Sequence, residues 1–360
     1  MQAKPWIKIW FIISSLVFFV GIFNFIVDSN GMNRYIEITR FNKIKSNKSD
    51  TTPIRYKMPR LRSGDWDNLM MGTSSIGVMN NAVVSEYLGG KTFNLSQPAS
   101  AMSIQLDVFK YAVHFNKIKN VVYAVDFISF NKHRRLNADY IQEREKLKSF
   151  DYFYSYKSYF NLMLMKDSLS LIWKNYHQKI KPSPRYMEDG RRVYQNYIYA
   201  QNNNTFDLKD NMDRVSQFLL SDHGYYEHYE FSDEYMSQFK SIVSYCKKHN
   251  IELYVYISPL YKDFISKLYI HDLGSKFESF KIKLAEITPY KDFTRVSSMT
   301  MTMNNFWDPL HLKVEKTPFI MRDLFKKDDE LNISVYMDET NIQSNLVKQK
   351  KDYKDFGVLK

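Results

Sequence analysis

Nineteen consecutive residues near the amino terminus, Ile9 to Val27 (IWFIISSLVFFVGIFNFIV), carry no charge, and only Ser14, Ser15 and Asn24 interrupt their apolar character. As a helix such a run extends roughly 28 Å, about the thickness of a hydrocarbon core. Residues 9–27 are therefore expected to form a transmembrane anchor. A cleaved signal peptide has a shorter apolar region ending in small residues, whereas this one ends FNFIVDSNGMNRY with no Ala-x-Ala-like site. Lys4 and Lys8 ahead of the span favour an inside amino terminus, and Arg34, Arg40, Lys43 and Lys45 behind it argue the reverse. Charge alone leaves the orientation open. No second run reaches spanning length, which puts everything after residue 30 on one side of the membrane.

The rest of the 360-residue chain is long enough for a large domain with insertions. The full chain's net charge of +12 is scattered among acidic residues, without the basic stripe interleaved with aromatics that a nucleic-acid groove needs. The single cysteine, Cys246, excludes an internal disulfide and a Cys-based zinc site; it is expected as a buried structural thiol. No His-x-x-x-His pair or His/carboxylate cluster has ligand spacing. The only glycine pair, Gly89-Gly90, precedes a strand rather than a helix, unlike a phosphate loop. Neither a metal nor a cofactor is expected.

Residues 28–64 are polar and read as a stalk or linker. From there the pattern alternates. DNLMMG, KTFNLS, NVVYAVDFISF, IELYVYISPL and, more weakly, TPYKDFT read as short strands. Between them IGVMNNAVVSEYLGG, SIQLDVFKYAVHFNK, the segment capped by Ser232 and a stretch over 261–286 read as helices. This order predicts an α/β domain over 65–326: a doubly wound, flavodoxin-like parallel sheet with helices on both faces. Residues 132–230 break the rhythm and are expected as a helical insertion or lid at the sheet's carboxyl edge, with aromatics serving as packing surface. Residues 327–360 are lysine-rich and read as a polar basic tail.

The stretch LMMGTSSIGV, residues 69–78, ends a hydrophobic run in Gly72 and then sets Thr73, Ser74 and Ser75 in a row. It is either a polar turn or a nucleophile at a strand end. A nucleophilic Ser74 needs a histidine within hydrogen-bond reach and a group to orient it. Of eight histidines, His311 alone lies three residues after an aspartate, in WDPLHL. Pro309 stiffens that turn, so Asp308 can accept from one ring nitrogen while the other faces the serine. Alternatively, Asp308 is the N-cap of a helix beginning near His311. Placement favours the first reading, because the serine follows the first strand and the Asp/His pair the last, and both would emerge at one sheet edge.

With these blocks the chain resembles the SGNH (GDSL-type) hydrolase superfamily: MMGTSS is similar to its first block, with Gly72-Thr73-Ser74 for Gly-Asp-Ser, and DPLHL to its last. A membrane anchor followed by such a domain is similar to the accessory proteins that work with membrane-bound O-acyltransferases on bacterial surface polymers. The resemblance covers about 65–130 and 230–325. It implies a three-layer SGNH-like domain on the extracytoplasmic side of the inner membrane, a Ser74–His311–Asp308 triad, and acyl-ester (acetyl) chemistry on a cell-surface polysaccharide beside a membrane O-acyltransferase partner.

The resemblance also implies an oxyanion hole built from the Ser74 N–H, a second-block N–H that falls at Ala99 in FNLSQPAS, and a third-block side chain for which Asn131 is the candidate. The middle blocks depart from the family pattern: Ala99 replaces a glycine, and VDFISFN has neither the glycine nor the asparagine in register. That departure supports a second reading, a non-catalytic SGNH-like module that binds polysaccharide or scaffolds an assembly. A third, a cytoplasmic-facing enzyme of lipid or nucleotide metabolism, rests on the charges after the span.

Overall fold

The computed structural model describes residues 3–45, 53–134, 138–149, 158–180, 185–326 and 331–359. Residues 46–52, the most polar part of the expected stalk, and 150–157, in the aromatic run of the insertion, lie outside them. Among the described residues the strands are, in chain order, β1 (Asn68–Met71), β2 (Thr92–Asn94), β3 (Asn120–Ala124), β4 (Arg185–Tyr186), β5 (Arg192–Val193), β6 (Glu252–Ile257), β7 (Tyr290–Asp292), β8 (Phe306–Asp308), β9 (His311–Leu312) and β10 (Val335–Met337).

Six of them form the central sheet in the order β10-β7-β6-β3-β1-β2. All neighbours are parallel except β10, which runs antiparallel to β7. The parallel strands thus follow the order of a doubly wound sheet, whose winding reverses between β1 and β3. Because strand side chains alternate, Leu69, Met71, Val121, Tyr123, Val255 and Ile257 enter one core, while Met70, Val122, Ala124 and Tyr256 enter a second on the other face. Helices Met102–Phe115 and Asp233–Lys248 cover the first, through Val108, Phe109, Phe239 and Ile242. Asn81–Leu88 and Thr317–Phe325 cover the second, through Val84, Ile320 and Met321.

Local chemistry sets the element ends. The Ser232 hydroxyl accepts from Tyr235 N at 3.2 Å, with Asp233 and Glu234 in the first turn and Lys247 and Lys248 in the last, where each favours the helix dipole. Cys246 on this helix is buried, and burial pushes its thiol up to about 12. The stretch expected as one helix over 261–286 is two, Lys262–Ile270 and Gly274–Ala285.

Two expected appendages, the stalk (28–64) and the tail (327–360), are corrected in their described residues, which pack into the domain. Pro53–Ser63 is a helix whose Ile54, Met58 and Leu61 enter the larger core, and Arg60 ties it to the lead-in by donating to Met32 O (2.7 Å) and Asn33 O (2.8 Å). Its basic residues obscured an i, i+4, i+7 apolar stripe. In the tail, β10 extends the sheet, and helix Ile342–Asp355 buries Ile342, Leu346 and Tyr353. Gln349 on that helix completes a buried network, accepting from Lys281 Nζ (2.9 Å) and donating to Asp292 Oδ2 (3.2 Å).

The amino-terminal helix, Ala3–Val27, is long and apolar enough to cross a membrane. Most of it is exposed, and only its carboxyl end packs on the domain, against helix Leu162–Tyr176 of the insertion.

Candidate active site

β1 delivers the opening motif to the carboxyl edge of the sheet. Gly72 has φ +134°, and any Cβ there would collide with the Ala124 carbonyl oxygen of β3, so glycine is required for the turn. Thr73 remains extended and Ser74 begins a short helix, Ser74–Gly77.

The three hydroxyls then divide. Thr73 Oγ1 (2.6 Å) and Ser75 Oγ (2.9 Å) both donate to Asp126 Oδ2, which Thr73 N also approaches at 3.3 Å. Ser74 Oγ, between them, lies 2.7 Å from His311 Nε2. Asp126 sits just past β3, so the two sheet strands that flank the switch point hold the turn from both sides.

His311 reaches Ser74 across 237 residues of sequence because β8 and β9 form a tight hairpin around Pro309-Leu310. Asp308 accepts from Leu310 N at 3.1 Å, which closes the turn, and both its oxygens lie 2.7 Å from His311 Nδ1. An acceptor-only carboxylate on that side places the ring proton on Nδ1 and leaves the Nε2 lone pair facing the Ser74 hydroxyl. His311 begins a strand, so the N-cap alternative for Asp308 does not apply. Burial alone would raise the Asp308 carboxyl, but the His311 ring and the hydrogen bonds it accepts hold it below the usual carboxylate value. Burial pushes Asp126, whose hydrogen-bond donors are neutral, above it.

The insertion supplies side chains that the motif reading did not anticipate. The Tyr197 hydroxyl donates to Asp308 Oδ2 at 3.3 Å, and the Tyr194 ring centroid lies 5.1 Å from that of His311. The two tyrosines stack at 5.2 Å, and Tyr197 also packs on Trp307 of β8. Arg192 Nη1 donates to the Tyr194 hydroxyl at 2.8 Å. The hairpin of β4 and β5 anchors this group: the Asp189 carbonyl accepts from Asn94 N (2.8 Å) and Asn81 Nδ2 (2.9 Å) beside the edge strand β2. The only sequence signal was the i, i+3 spacing of Tyr194 and Tyr197, which fits any packing face.

The oxyanion candidates separate. Ser74 N–H lies in the first turn of its helix, where the helix offers no acceptor. The segment carrying Ala99 runs along β1, with Leu95 N on Met70 O (2.8 Å) and Gln97 N on Gly72 O (2.9 Å). Ala99 has φ +51°, the left-handed backbone that glycine adopts freely, and its carbonyl accepts from Arg134 Nε (3.0 Å) and Nη2 (2.8 Å). Its N–H has no hydrogen-bond acceptor among the described residues.

The expectation for Asn131 is corrected. Its side-chain amide donates to Tyr225 O (3.3 Å) and Glu227 O (3.2 Å), and its side-chain oxygen accepts from His133 N and Glu230 N. Buried and fully engaged, it fastens the return of the insertion to the sheet rather than facing Ser74.

Three other histidines have different neighbours. His133 meets Glu230, His249 stacks on Tyr245, and His177 packs on Trp173 and Tyr176. Among the described residues no group of three His, Cys, Asp or Glu side chains could hold a metal ion. No family model matches the chain, and no curated protein matches it.

Proposed function

We propose that this chain is a membrane-anchored, SGNH-like serine acyl-ester transferase or esterase acting on acyl groups, acetyl in the simplest case, of a cell-surface polysaccharide. The observation that carries the proposal is the unbroken line from Ser74 Oγ through His311 to Asp308, 2.7 Å at each step. Ser74 Oγ attacks the acyl carbonyl carbon as its proton passes to His311 Nε2, and Asp308 stabilises the imidazolium. The oxyanion accepts from the Ser74 and Ala99 N–H groups. Collapse expels the alcohol, which takes the Nε2 proton, and leaves an acyl-serine. A glycan hydroxyl, deprotonated by Nε2, then attacks that ester, and the proton returns to Ser74 Oγ. Water in the same position gives hydrolysis. A membrane anchor with the domain on the extracytoplasmic side favours transfer, because it holds the serine beside a membrane O-acyltransferase that supplies the acyl group.

The test is the ester content of the surface polymer in cells carrying Ser74→Ala or His311→Ala. The expected result is loss of acylation at unchanged protein level, and wild-type acylation in both would overturn the proposal. One observation favours a second reading, a non-catalytic polysaccharide-binding or scaffolding module: Asn131 is engaged elsewhere, leaving the oxyanion short of a side-chain donor. Loss of one such donor typically costs about a hundredfold or more in rate. On that reading Ser74→Ala keeps acylation, and deletion of the domain removes it.

A further inference from the structure

The insertion grips the apolar helix as firmly as it grips the triad. Asn24 is an amide within the spanning run, and in hydrocarbon such a group must find partners inside the protein. It is fully buried: Nδ2 donates to Tyr159 O (2.6 Å) and Asn161 O (3.0 Å), and Oδ1 accepts from Ser168 Oγ (3.1 Å). Nearer the middle of the run, Gly21 lies directly under the Phe160 ring, with no room for a Cβ. Gly21 precedes the end of the helix by six residues, about 9 Å along its axis. The start of helix Leu162–Tyr176 therefore lies level with the interior of the span, not beyond its end.

That helix has two unlike faces. Leu164, Ser168, Leu171 and Asn175 are buried. The opposite face exposes Leu162 (72%), Met163 (69%), Leu169 (52%), Trp173 (51%) and Tyr176 (65%). A cluster of this size facing water is unusual for a domain surface. The exposed face also carries Lys166, between Met163 and Leu169, a side chain long enough to reach headgroups from below; toward its end stand Trp173, Lys174, Tyr176 and Lys179, with Lys179 Nζ 4.8 Å over the Trp173 ring. Aromatic rings and lysines together mark the headgroup level of a bilayer.

We propose that helix Leu162–Tyr176 is seated in the same bilayer as the carboxyl end of the span, with Leu162, Met163 and Leu169 among acyl chains and Trp173, Tyr176 and the lysines among headgroups. The occupant of this face is lipid, because the helix starts at the depth of Gly21 in a span whose Phe18, Phe19 and Ile22 are themselves exposed, and its lysines suit anionic headgroups. One insertion then fixes the height and tilt of the triad over the membrane. This inference rests on the reading of the amino-terminal helix as a membrane anchor, and its test separates the two.

The full-length chain, with Cys246→Ala removing the native thiol, receives single cysteines by Phe18→Cys, Met163→Cys, Leu169→Cys or Val347→Cys. Each is labelled with an environment-sensitive fluorophore and reconstituted into phosphatidylethanolamine/phosphatidylglycerol nanodiscs. Lipid-borne and water-soluble quenchers are then compared. Lipid quenching several-fold stronger at 18, 163 and 169 than at 347 is the expected result. Quenching by lipid at 18 alone, with 163 and 169 as open to the soluble quencher as 347, overturns the seating and leaves the anchor standing. Shielding of 163 and 169 from both quenchers shows a second copy of the chain on this face and also overturns it. No lipid quenching at 18 removes the anchor and the seating together.

Discussion

Asp126, just past β3, and Asp308, at the end of β8, are buried carboxylates that flank the Ser74–His311 pair, and burial raises both, yet their net shifts are opposite. Asp126 meets two hydroxyls and one backbone N–H, all neutral donors, and is pushed above its usual value. Asp308 meets an imidazole that can carry charge, and is held below it. The same functional group thus takes two roles at one turn according to its partner. Asp308 favours the charged form of its neighbour, as the proposed triad requires, whereas Asp126 fixes Thr73 and Ser75 on either side of Ser74.

The most severe way to break the comparison is Asp308→Asn. It keeps the shape of the hairpin but favours the wrong ring tautomer, and the acyl-transfer or esterase rate is expected to fall about ten-thousandfold. Asp126→Asn is expected to cost far less, about tenfold to a hundredfold, because no proton passes through it; kinetics on both variants with one activated ester would show the gap. Tyr197→Phe removes a single donor from Asp308, and a rate loss of about fivefold is expected, in line with one modest hydrogen bond.

Stability against pH sharpens the same contrast. The contribution of Asp308 is present above the ordinary value of 3.8 and is lost as pH falls through its lower folded-state value. That of Asp126 runs the other way, fully present below 3.8 and lost as pH rises through its higher folded-state value. Denaturant titrations should therefore show the stability of wild type relative to Asp308→Asn growing with pH across the first window. Relative to Asp126→Asn it should shrink across the second. The smallest effect is at Ala99, where replacement by glycine relieves a left-handed backbone. A stability gain of up to about 1 kcal/mol is expected, visible as a shift of the denaturant midpoint.

How much of this was legible depends on whether the information was local. Gly72, Ser74, Asp308 and His311 sit in two short motifs; the winding of the sheet puts the end of β1 at its carboxyl edge, and the tight β8–β9 hairpin outside the sheet presents Asp308 and His311 there. Tyr194 and Tyr197 come from an insertion whose docking is set by Gly190, at φ +79°, meeting the Asn94 carbonyl, and nothing in the local pattern announces such a contact. Asn131 misled because its position after β3 suited the site, while its four hydrogen bonds lie with residues about a hundred positions on or with its own turn. In the stalk and tail, dense lysine and arginine masked helical stripes at Ile54, Met58 and Leu61 and at Ile342, Leu346 and Tyr353. Charge on one face of a helix says nothing against burial of the other.

The account turns on Ser74 being a nucleophile activated by His311, and covalent capture tests that most directly. The purified full-length chain is treated with a fluorophosphonate, and the modified residue is located by peptide mass spectrometry. The account predicts a single adduct on Ser74, absent in His311→Ala and slow to form in Asp308→Asn. An unmodified wild-type chain, or an adduct on Ser75 in its place, would contradict it.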